Sequence, residues 1–362
     1  MTGDFVYGFA GYFRRERDGR MLDMFALTFD ELCGELTRAY GKGEYHARAL
    51  SREILARGNR NWAQAPEFQA SKALAERLGA DIKVPLPVIS QLVRENDTIK
   101  FLCRFEDGLE SESVVIPMRH HTTLCVSSQI GCRMNCRFCE TGAMGFVRNL
   151  RASEIVGQVY AARFVLGKPI RNLVFMGMGE PFDNVDAVIR AVRVLSDQKG
   201  FDIAHRHITL STAGRIDGID RLAALNWPSI NLALSLNAPN DRLRNVLMPL
   251  NRQYPMADLK KALLRYPLRR KGLFLIEYVL IKGLNDAEDH ADELADFLHG
   301  LPVRINLIPL NATRGFPYGA TSDQDVHRFA AFLEHRGLFV VKRWSKGASL
   351  AAGCGQLGSG RS

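Results

Sequence analysis

An alternation of strand-like and helix-like segments, running from about residue 121 to the C-terminal region, limits the fold more than any other feature of this chain. Apolar and β-branched runs fall near 122–127, 171–177, 206–211, 229–236, 273–281 and 303–308, with another near 338–343. Between them, apolar residues recur at helical spacing near 152–166, 183–196, 216–225, 257–266, 285–299 and 322–335. Asp183, Asp217 and Asn285 stand near helix starts, where a side-chain oxygen can cap free N–H groups. Alternation of this kind builds a parallel sheet with right-handed crossovers. Six such units predict an α/β fold, a partial (β/α)6 barrel, and the pattern also allows an open sheet. In either form the functional loops lie at the C-terminal ends of the strands.

Upstream of the barrel, residues 1–97 read as a small N-terminal helical accessory domain, with helices over Phe25–Ala39, His46–Ala56 and Ala70–Leu78. Residues 98–120 alternate about a turn at Asp107–Gly108 and predict a β-hairpin extension. The barrel is expected over 121–345 and a C-terminal tail over 346–362.

Directly after the first barrel strand comes Cys132-Arg-Met-Asn-Cys136-Arg-Phe-Cys139, a C-x3-C-x2-C run. Three thiolates can hold three irons of a [4Fe–4S] cluster, which normally takes four cysteines, so the fourth iron stays open for a small molecule. The spacing resembles the signature of radical S-adenosylmethionine (SAM) enzymes, in which the amino and carboxylate groups of SAM chelate that iron. Two other readings stand beside it. The same thiols with His120 or His121 would suit zinc, although zinc sites usually pair two C-x2-C units and there is one here. They could also be core thiols.

The chain has 362 residues and seven cysteines, an odd number that fits poorly with a disulfide framework. No apolar run approaches a membrane span of about 20 residues, and the start Met-Thr-Gly-Asp-Phe-Val-Tyr shows no secretory signal. A cytoplasmic protein without a membrane partner is therefore expected, in a compartment that keeps thiols reduced. The net charge is +9, with basic residues clustered at Arg14–Arg20, at Lys260–Lys271 and around the cysteine run (Arg119, Arg133, Arg137, Arg148, Arg151). An anionic polymer is one expected partner of such a surface, and a solvated basic face is the other reading.

Polar groups recur where strands end. Met176-Gly-Met-Gly179-Glu180-Pro181 follows the second strand: its glycines let backbone approach a ligand, and Glu180 can accept a hydrogen bond from an ammonium group. Ser211 ends the third strand, Ser235-Leu236-Asn237 the fourth, and Asn311 follows the sixth. Singly each is an ordinary turn residue; together they form a ring able to bind SAM. Cys33 and Cys103 sit in apolar patterns and read as core. Cys125 taken alone reads the same way, whereas Cys354, between glycines in a polar tail, is a candidate nucleophile.

With these motifs in hand, the chain resembles the RlmN/Cfr family of radical SAM RNA-adenine methyltransferases from roughly residue 45 to 357. The matching stretches are Cys125-Val-Ser-Ser-Gln-Ile-Gly-Cys132, Gly145–Leu150, Met176–Pro181, Ser235–Asp241, Asn306–Asn311 and Cys354–Leu357. The resemblance implies that Cys132, Cys136 and Cys139 hold a [4Fe–4S] cluster. It implies that Gly179, Glu180, Ser211, Ser235, Leu236, Asn237 and Asn311 contact SAM. Cys354 would be methylated and carry the carbon, and Cys125 would resolve the adduct through a transient disulfide. Glu112 would accept the ring proton, a role Cys125 could also fill, or would instead be a structural acceptor. The implied product is an adenosine methylated at C2 or C8 in RNA, ribosomal RNA first and transfer RNA second. Flavodoxin or ferredoxin would supply electrons, and a monomer is expected. The family's Ser-Leu-His reads Ser235-Leu236-Asn237 here, and its usual Asp-Ile pair before the tail cysteine reads Ser349-Leu350. A radical SAM enzyme acting on a small molecule or peptide, and a zinc-stabilised RNA-binding protein without catalysis, are the alternatives.

Overall fold

The computed structural model describes residues 21–311, 313, 315–319, 321–344 and 351–358; the basic run Arg14–Arg20 and the pair Ser349-Leu350 lie outside them. A short strand β1 (Leu22–Asp23) precedes α1 (Phe29–Tyr40) and α2 (Glu44–Leu50), which continues through a wider turn at Ser51–Ala56. Then come α3 (Pro66–Gln69), α4 (Lys72–Asp81) and β2 (Ile82–Lys83), which pairs in parallel with β1. Thr28 and Glu31 form a reciprocal cap on α1, satisfying N–H groups that the helix cannot satisfy itself.

Strands β3 (Val88–Glu95), β4 (Thr98–Arg104) and β5 (Glu110–Pro117) form an antiparallel meander. The hairpin expected over 98–120 thus has a third strand, and residues 88–95, read from sequence as the end of the helical region, belong to the sheet. Their exposure is intermediate or full with no buried position, so the strand carries little of the alternation that betrays a half-buried strand.

The barrel proper begins with β6 (Thr122–Cys125), followed by a small hairpin of β7 (Gln129–Gly131) and β8 (Phe146–Asn149) that encloses α5 (Glu140–Ala143). There follow α6 (Ala152–Tyr160), β9 (Ile170–Phe175), α7 (Val185–Ser196), β10 (Ile208–Thr212), α8 (Ile216–Ala224) and β11 (Asn231–Ser235). The chain ends with α9 (Asp241–Leu247), α10 (Met256–Arg265), β12 (Phe274–Leu280), α11 (Glu288–Leu298), β13 (Val303–Pro309), α12 (Asp323–His335) and β14 (Val340–Lys342). Every strand and helix expected in this region is present near its expected span.

One ten-stranded sheet carries the molecule, in the order β14-β13-β12-β11-β10-β9-β6-β5-β4-β3. From β6 to β14 all pairings are parallel and the order never reverses. A doubly wound open sheet needs a reversal to place helices on both faces. Without one, the crossover helices stay on one face and the sheet curls around the other. Outer strands β3 and β14 are not paired with each other, so the barrel is partial.

Alternation decides what each face carries. Leu124, Leu173, Phe175, Leu210, Leu232, Leu234, Ile276, Tyr278, Ile305 and Leu307 face the helices in one large core. Their neighbours in sequence face the barrel interior: Cys125, Ser211, Ser235, Glu277 and Asn306. Register places Ser235, Glu277 and Asn306 side by side across β11, β12 and β13. The N-terminal helices share the same apolar core through Leu32, Leu36, Ile54 and Phe68. Polar ties reinforce that contact: the Phe29 N–H donates to Asp197 (2.7 Å) and the Arg190 Nε to the Ala26 carbonyl (2.6 Å).

Of the three residues expected as helix caps, none caps a helix through its side chain. Asp183 accepts from Arg215 (2.6 Å) and Arg133 (2.8 Å) instead. Asp217 lies inside the first turn of α8. Asn285 is fully buried before α11, where its oxygen accepts from the Ile281 N–H (2.7 Å) and its amide donates to the Asn237 and Val279 carbonyls. Among the described residues no helix is long and apolar enough to cross a membrane.

Candidate active site

The cysteine run occupies the loop between β7 and β8, at the C-terminal end of β6. Gly131 sets its start: its φ is +72°, and a Cβ there would lie 1.9 Å from the Gly145 carbonyl oxygen. That close approach lets the Cys132 N–H donate to the same carbonyl (2.9 Å) and pins the first thiol. Cys139 donates its N–H to the Cys136 carbonyl (3.1 Å), and Arg137 donates to the Leu247 carbonyl at the end of α9 (3.0 Å). Cys132, Met134 and Phe138 pack with Leu243, Leu247 and Met248 in a small core of their own.

Burial pushes the Cys132 thiol up to about 12 and raises Cys136 and Cys139 as well; for Cys136 the other two thiols push in the same direction. Yet Cys136 and Cys139 keep part of their surface accessible, as groups lining a deep mouth do. Three thiols gathered this way cannot all ionise without a cation to compensate them, and a bound metal centre inverts that balance. Among the described residues no three His, Cys, Asp or Glu side chains converge to hold a single ion. A cluster makes a different demand, since each thiolate ends on its own iron. The donor set and its one-sided opening fit such a cluster.

The second wall of the mouth is the turn after β9. Gly179 has a φ of +99°, and a Cβ there would sit 2.5 Å from the Gln129 side chain. Gln129 in turn accepts from the Glu180 N–H (2.9 Å) and donates to Asn149 (2.8 Å) and Asp183 (2.9 Å). Glu180 itself is buried, with one carboxylate oxygen accepting from the Ala213 N–H (2.7 Å) and the other from the Phe182 N–H (3.1 Å). Burial outweighs these bonds and pushes its carboxyl up to about 7. The Thr212 side chain also bonds this carboxylate, so three donors leave one of its lone-pair sites for a further donor such as an ammonium group.

The C-terminal tail folds back over this mouth. Five bonds to four separate elements hold residues 351–358. Glu140 donates its N–H to the Gly355 carbonyl (2.7 Å), and the Thr141 hydroxyl donates to the Leu357 carbonyl (2.6 Å). Asn311 donates to the Cys354 carbonyl (3.0 Å), Lys100 to the Ala351 carbonyl (3.3 Å), and the Gly358 N–H to Glu112 (3.1 Å). Cys354 is exposed, but the surrounding protein pushes its thiol up to about 11, Glu277 adds to the rise, and Arg343 opposes it. Cys125 is buried in a small apolar cluster with the tail residues Ala352 and Leu357. Its thiol is pushed up to about 12, first by burial and then by Cys354. Both cysteines are free thiols, so the disulfide expected between them is not formed in this structure.

Comparison with known proteins bears directly on this arrangement. The Radical SAM superfamily profile matches residues 126–298. A probable dual-specificity RNA methyltransferase RlmN 1 from Protochlamydia amoebophila is 43% identical over 332 residues, covering 92% of each chain. The dual-specificity RNA methyltransferase RlmN of Geobacter sulfurreducens is 40% identical, over 93% of this chain and 92% of that protein. The chain belongs to the RlmN family of radical SAM enzymes. A crystal structure of a radical SAM methyltransferase from Sphaerobacter thermophilus superposes with a TM-score of 0.86 at 40% identity, over 93% of this chain and 99% of that one. Membership of the family implies SAM and a [4Fe–4S] cluster as cofactors and removes the zinc-module alternative.

Against the RlmN pattern, the expected residues divide. Cys132, Cys136, Cys139, Gly179, Glu180, Cys125 and Cys354 surround the mouth, and Ser211 and Ser235 point into the barrel. Leu236 is fully buried, its N–H donating to the Glu277 carbonyl and its own carbonyl accepting from Arg244. Asn237, with a φ of +58°, is also turned inward: its oxygen accepts from the Val279 N–H (2.9 Å). Asn311 is occupied as a tether of the tail. Glu112 is 2% exposed; one oxygen holds the Gly358 N–H and the other lies 3.5 Å from the Lys100 ammonium without a hydrogen bond.

Two residues escaped the sequence reading. Lys100 is buried, joins Glu112 to the tail, and stands on the barrel-facing side of β4. Arg244 is completely buried on α9 and binds the Leu236 (3.1 Å), Ala213 (2.5 Å) and Ser235 (3.4 Å) carbonyls and Asn251 (2.7 Å). It thereby ties together the ends of β10 and β11. Burial lowers it to about 10, and the Cys136 thiol works against that fall. A lysine inside an alternating strand and an arginine on the apolar side of a short helix were the available signals.

Proposed function

We propose that this RlmN-family chain methylates an adenosine carbon, C2 or C8, in RNA, with Cys354 as a temporary carrier of the methyl carbon. The observation that carries this reading is the docking of the tail. Backbone bonds from Glu140 and Gly358 seat Cys354 between the cluster loop and the Cys125–Glu112 wall. Flanking glycines and an exposed thiol suit a group that must turn from one reaction partner to the next.

When bound, the family's cluster and SAM supply an electrophilic methyl group and a carbon-centred radical. The chain's own residues then have separate tasks. Cys132, Cys136 and Cys139 would ligate the cluster, and Gly179 and Glu180 would receive the ammonium group of SAM. Ser211, Ser235, Leu236, Asn237 and Asn311 are the remaining candidates around SAM, Leu236 and Asn237 through backbone and shape. Cys354 must lose its thiol proton to become a nucleophile, and a value near 11 means that little thiolate exists at neutral pH before a ligand arrives. Cys125, protonated and dry, is held back until the adduct brings an electrophilic sulfur to it. Attack by Cys125 on the Cys354 sulfur would release the methylated base and leave a transient disulfide. Glu112 accepts the ring proton in this scheme, with Lys100 as its charge partner. Ribosomal RNA is the first expected target and transfer RNA the second. We place the protein in the cytoplasm, as a monomer fed electrons by flavodoxin or ferredoxin.

The test is mass spectrometry of nucleosides from RNA of a cell lacking the endogenous activity, with and without this chain. Appearance of 2-methyladenosine or 8-methyladenosine is expected. Cys125→Ala should leave RNA attached through Cys354, and Cys354→Ala should abolish methylation while keeping the iron. Formation of 5′-deoxyadenosine without any methylated adenosine would overturn the RNA reading.

A further inference from the structure

At the opposite end of the barrel from the cysteine run, a broad basin of about 940 Å³ opens at the N-terminal ends of β6, β9 and β10. Its lining carries Arg163, Lys168, Arg171 and Arg206 with three histidines, against one carboxylate, Asp202. Arg163 is occupied by the Phe201 and Ile170 carbonyls (2.7 and 2.9 Å). Lys168, Arg171 and Arg206 form no ion pair among the described residues.

The basic runs that the sequence makes conspicuous are paired in part. Around the cysteines, Arg133 pairs with Asp183, Arg148 with Glu154 and Asp107, and Arg151 with Glu154 and Glu106. On α10, Lys261 pairs with Asp258 and Arg265 with Asp220. Arg119, Arg137, Lys260, Arg269, Arg270 and Lys271 form no ion pair among the described residues, so each run is only partly neutralised; the basin differs in gathering its free cations in one concavity. The crowding has a local signature: burial, and then Arg206, Arg171 and His121, lower the His207 imidazole. Concave positive surfaces of this kind focus the field and gather anions.

The geometry points to this basin as a second anchoring site for the phosphate backbone of the substrate RNA, away from the base that reacts. The inference rests on the reading of RNA as substrate and extends it. β9 has six residues, so at about 3.3 Å each the mouth and the basin are roughly 20 Å apart along the strand. An A-form RNA stem of several base pairs spans that length. A small anionic substrate could not engage both ends at once. An electron-donor protein would approach the cysteine loop, at the far end of the strands. Only a long polyanion makes use of both.

The test compares the holoenzyme with its Arg171→Ala/Arg206→Ala variant in binding RNA by fluorescence anisotropy across a salt series. Two RNAs are used: one structured substrate that yields methylated adenosine with the wild type, and a short oligonucleotide holding only the target adenosine and its near neighbours. For the long RNA, the slope of log affinity against log salt should fall by about 0.7–0.9 per lost contact, with about tenfold weaker binding in all. For the short RNA, and for SAM, binding should be unchanged, as should the iron content. Equal affinity and slope for the long RNA in both proteins would overturn the inference while leaving the enzyme reading intact. A slower reduction of the iron centre with unchanged RNA binding would overturn it in favour of a docking site for the electron donor. Absence of any methylated nucleoside with the wild type would instead overturn the RNA reading itself.

Discussion

Replacing Glu180 with glutamine should remove a specific pH dependence from the stability of the cluster-free protein. Burial raises this carboxyl from an ordinary 4.5 to about 7 even though the Ala213 and Phe182 N–H groups favour its charged form. Between those two values the native state keeps a proton that the unfolded chain has released. Stability from this group is therefore fully present below pH 4.5 and falls as pH rises through 7, the reverse of a salt-bridged carboxylate. At 1.36 kcal/mol per unit, a rise of this size is worth about 3 kcal/mol across the window. Urea unfolding of wild type and Glu180→Gln, under reducing anaerobic conditions from pH 5 to 8, measures it. The wild type should lose stability relative to the variant by most of that amount. SAM, whose ammonium group selects the carboxylate, should bind the wild-type holoenzyme about tenfold more weakly at pH 6 than at pH 8. A wild-type-minus-variant difference that stays flat with pH would refute the assignment of Glu180 as a dry, high-pKa acid.

Gly131→Ala should push the Gly145 carbonyl away and open the hairpin that carries Cys132, lowering stability by about 1–3 kcal/mol and reducing iron bound per chain after reconstitution. Lys100→Met should destabilise the fold by about 3–5 kcal/mol because the Glu112 carboxylate is left buried without its cation, and the double variant with Glu112→Gln should recover much of the loss in denaturant titrations. Arg244→Met should cost at least ~3 kcal/mol, because three buried acceptors and the part-buried Ser235 carbonyl lose their donor, whereas Arg244→Lys should keep part of that stability and the iron yet bind SAM more weakly in calorimetry.

The parallel barrel and the position of its cysteine loop were legible in the chain because both depend on local pattern. Strand–helix alternation needs only the periodicity of neighbouring residues, and the C-x3-C-x2-C spacing keeps its three thiols within one loop. Strand β3 was missed because its half-exposed residues carry no clear alternation. Asp183 and Asn285 looked like helix caps, the usual work of such residues near helix starts. Long-range neighbours reassigned both: two arginines took Asp183, and backbone groups of the β12 region took Asn285.

Family motifs already pointed to Cys125, Cys354 and Glu112, and the sequence by itself also determined the class of fold and the gathering of three thiols in one loop. Only the tertiary structure decided that Lys100 would stand between Glu112 and the tail, that Arg244 would lock two strand ends beside Cys136, and that Lys168, Arg171 and Arg206 would share one basin at the base of the barrel. These outcomes join residues up to 251 positions apart, as Lys100 and Ala351 are. A local periodicity reports which face a side chain takes. What waits for it on that face is set by strand order, register and the burial of charge, which exist only once the sheet has closed around them.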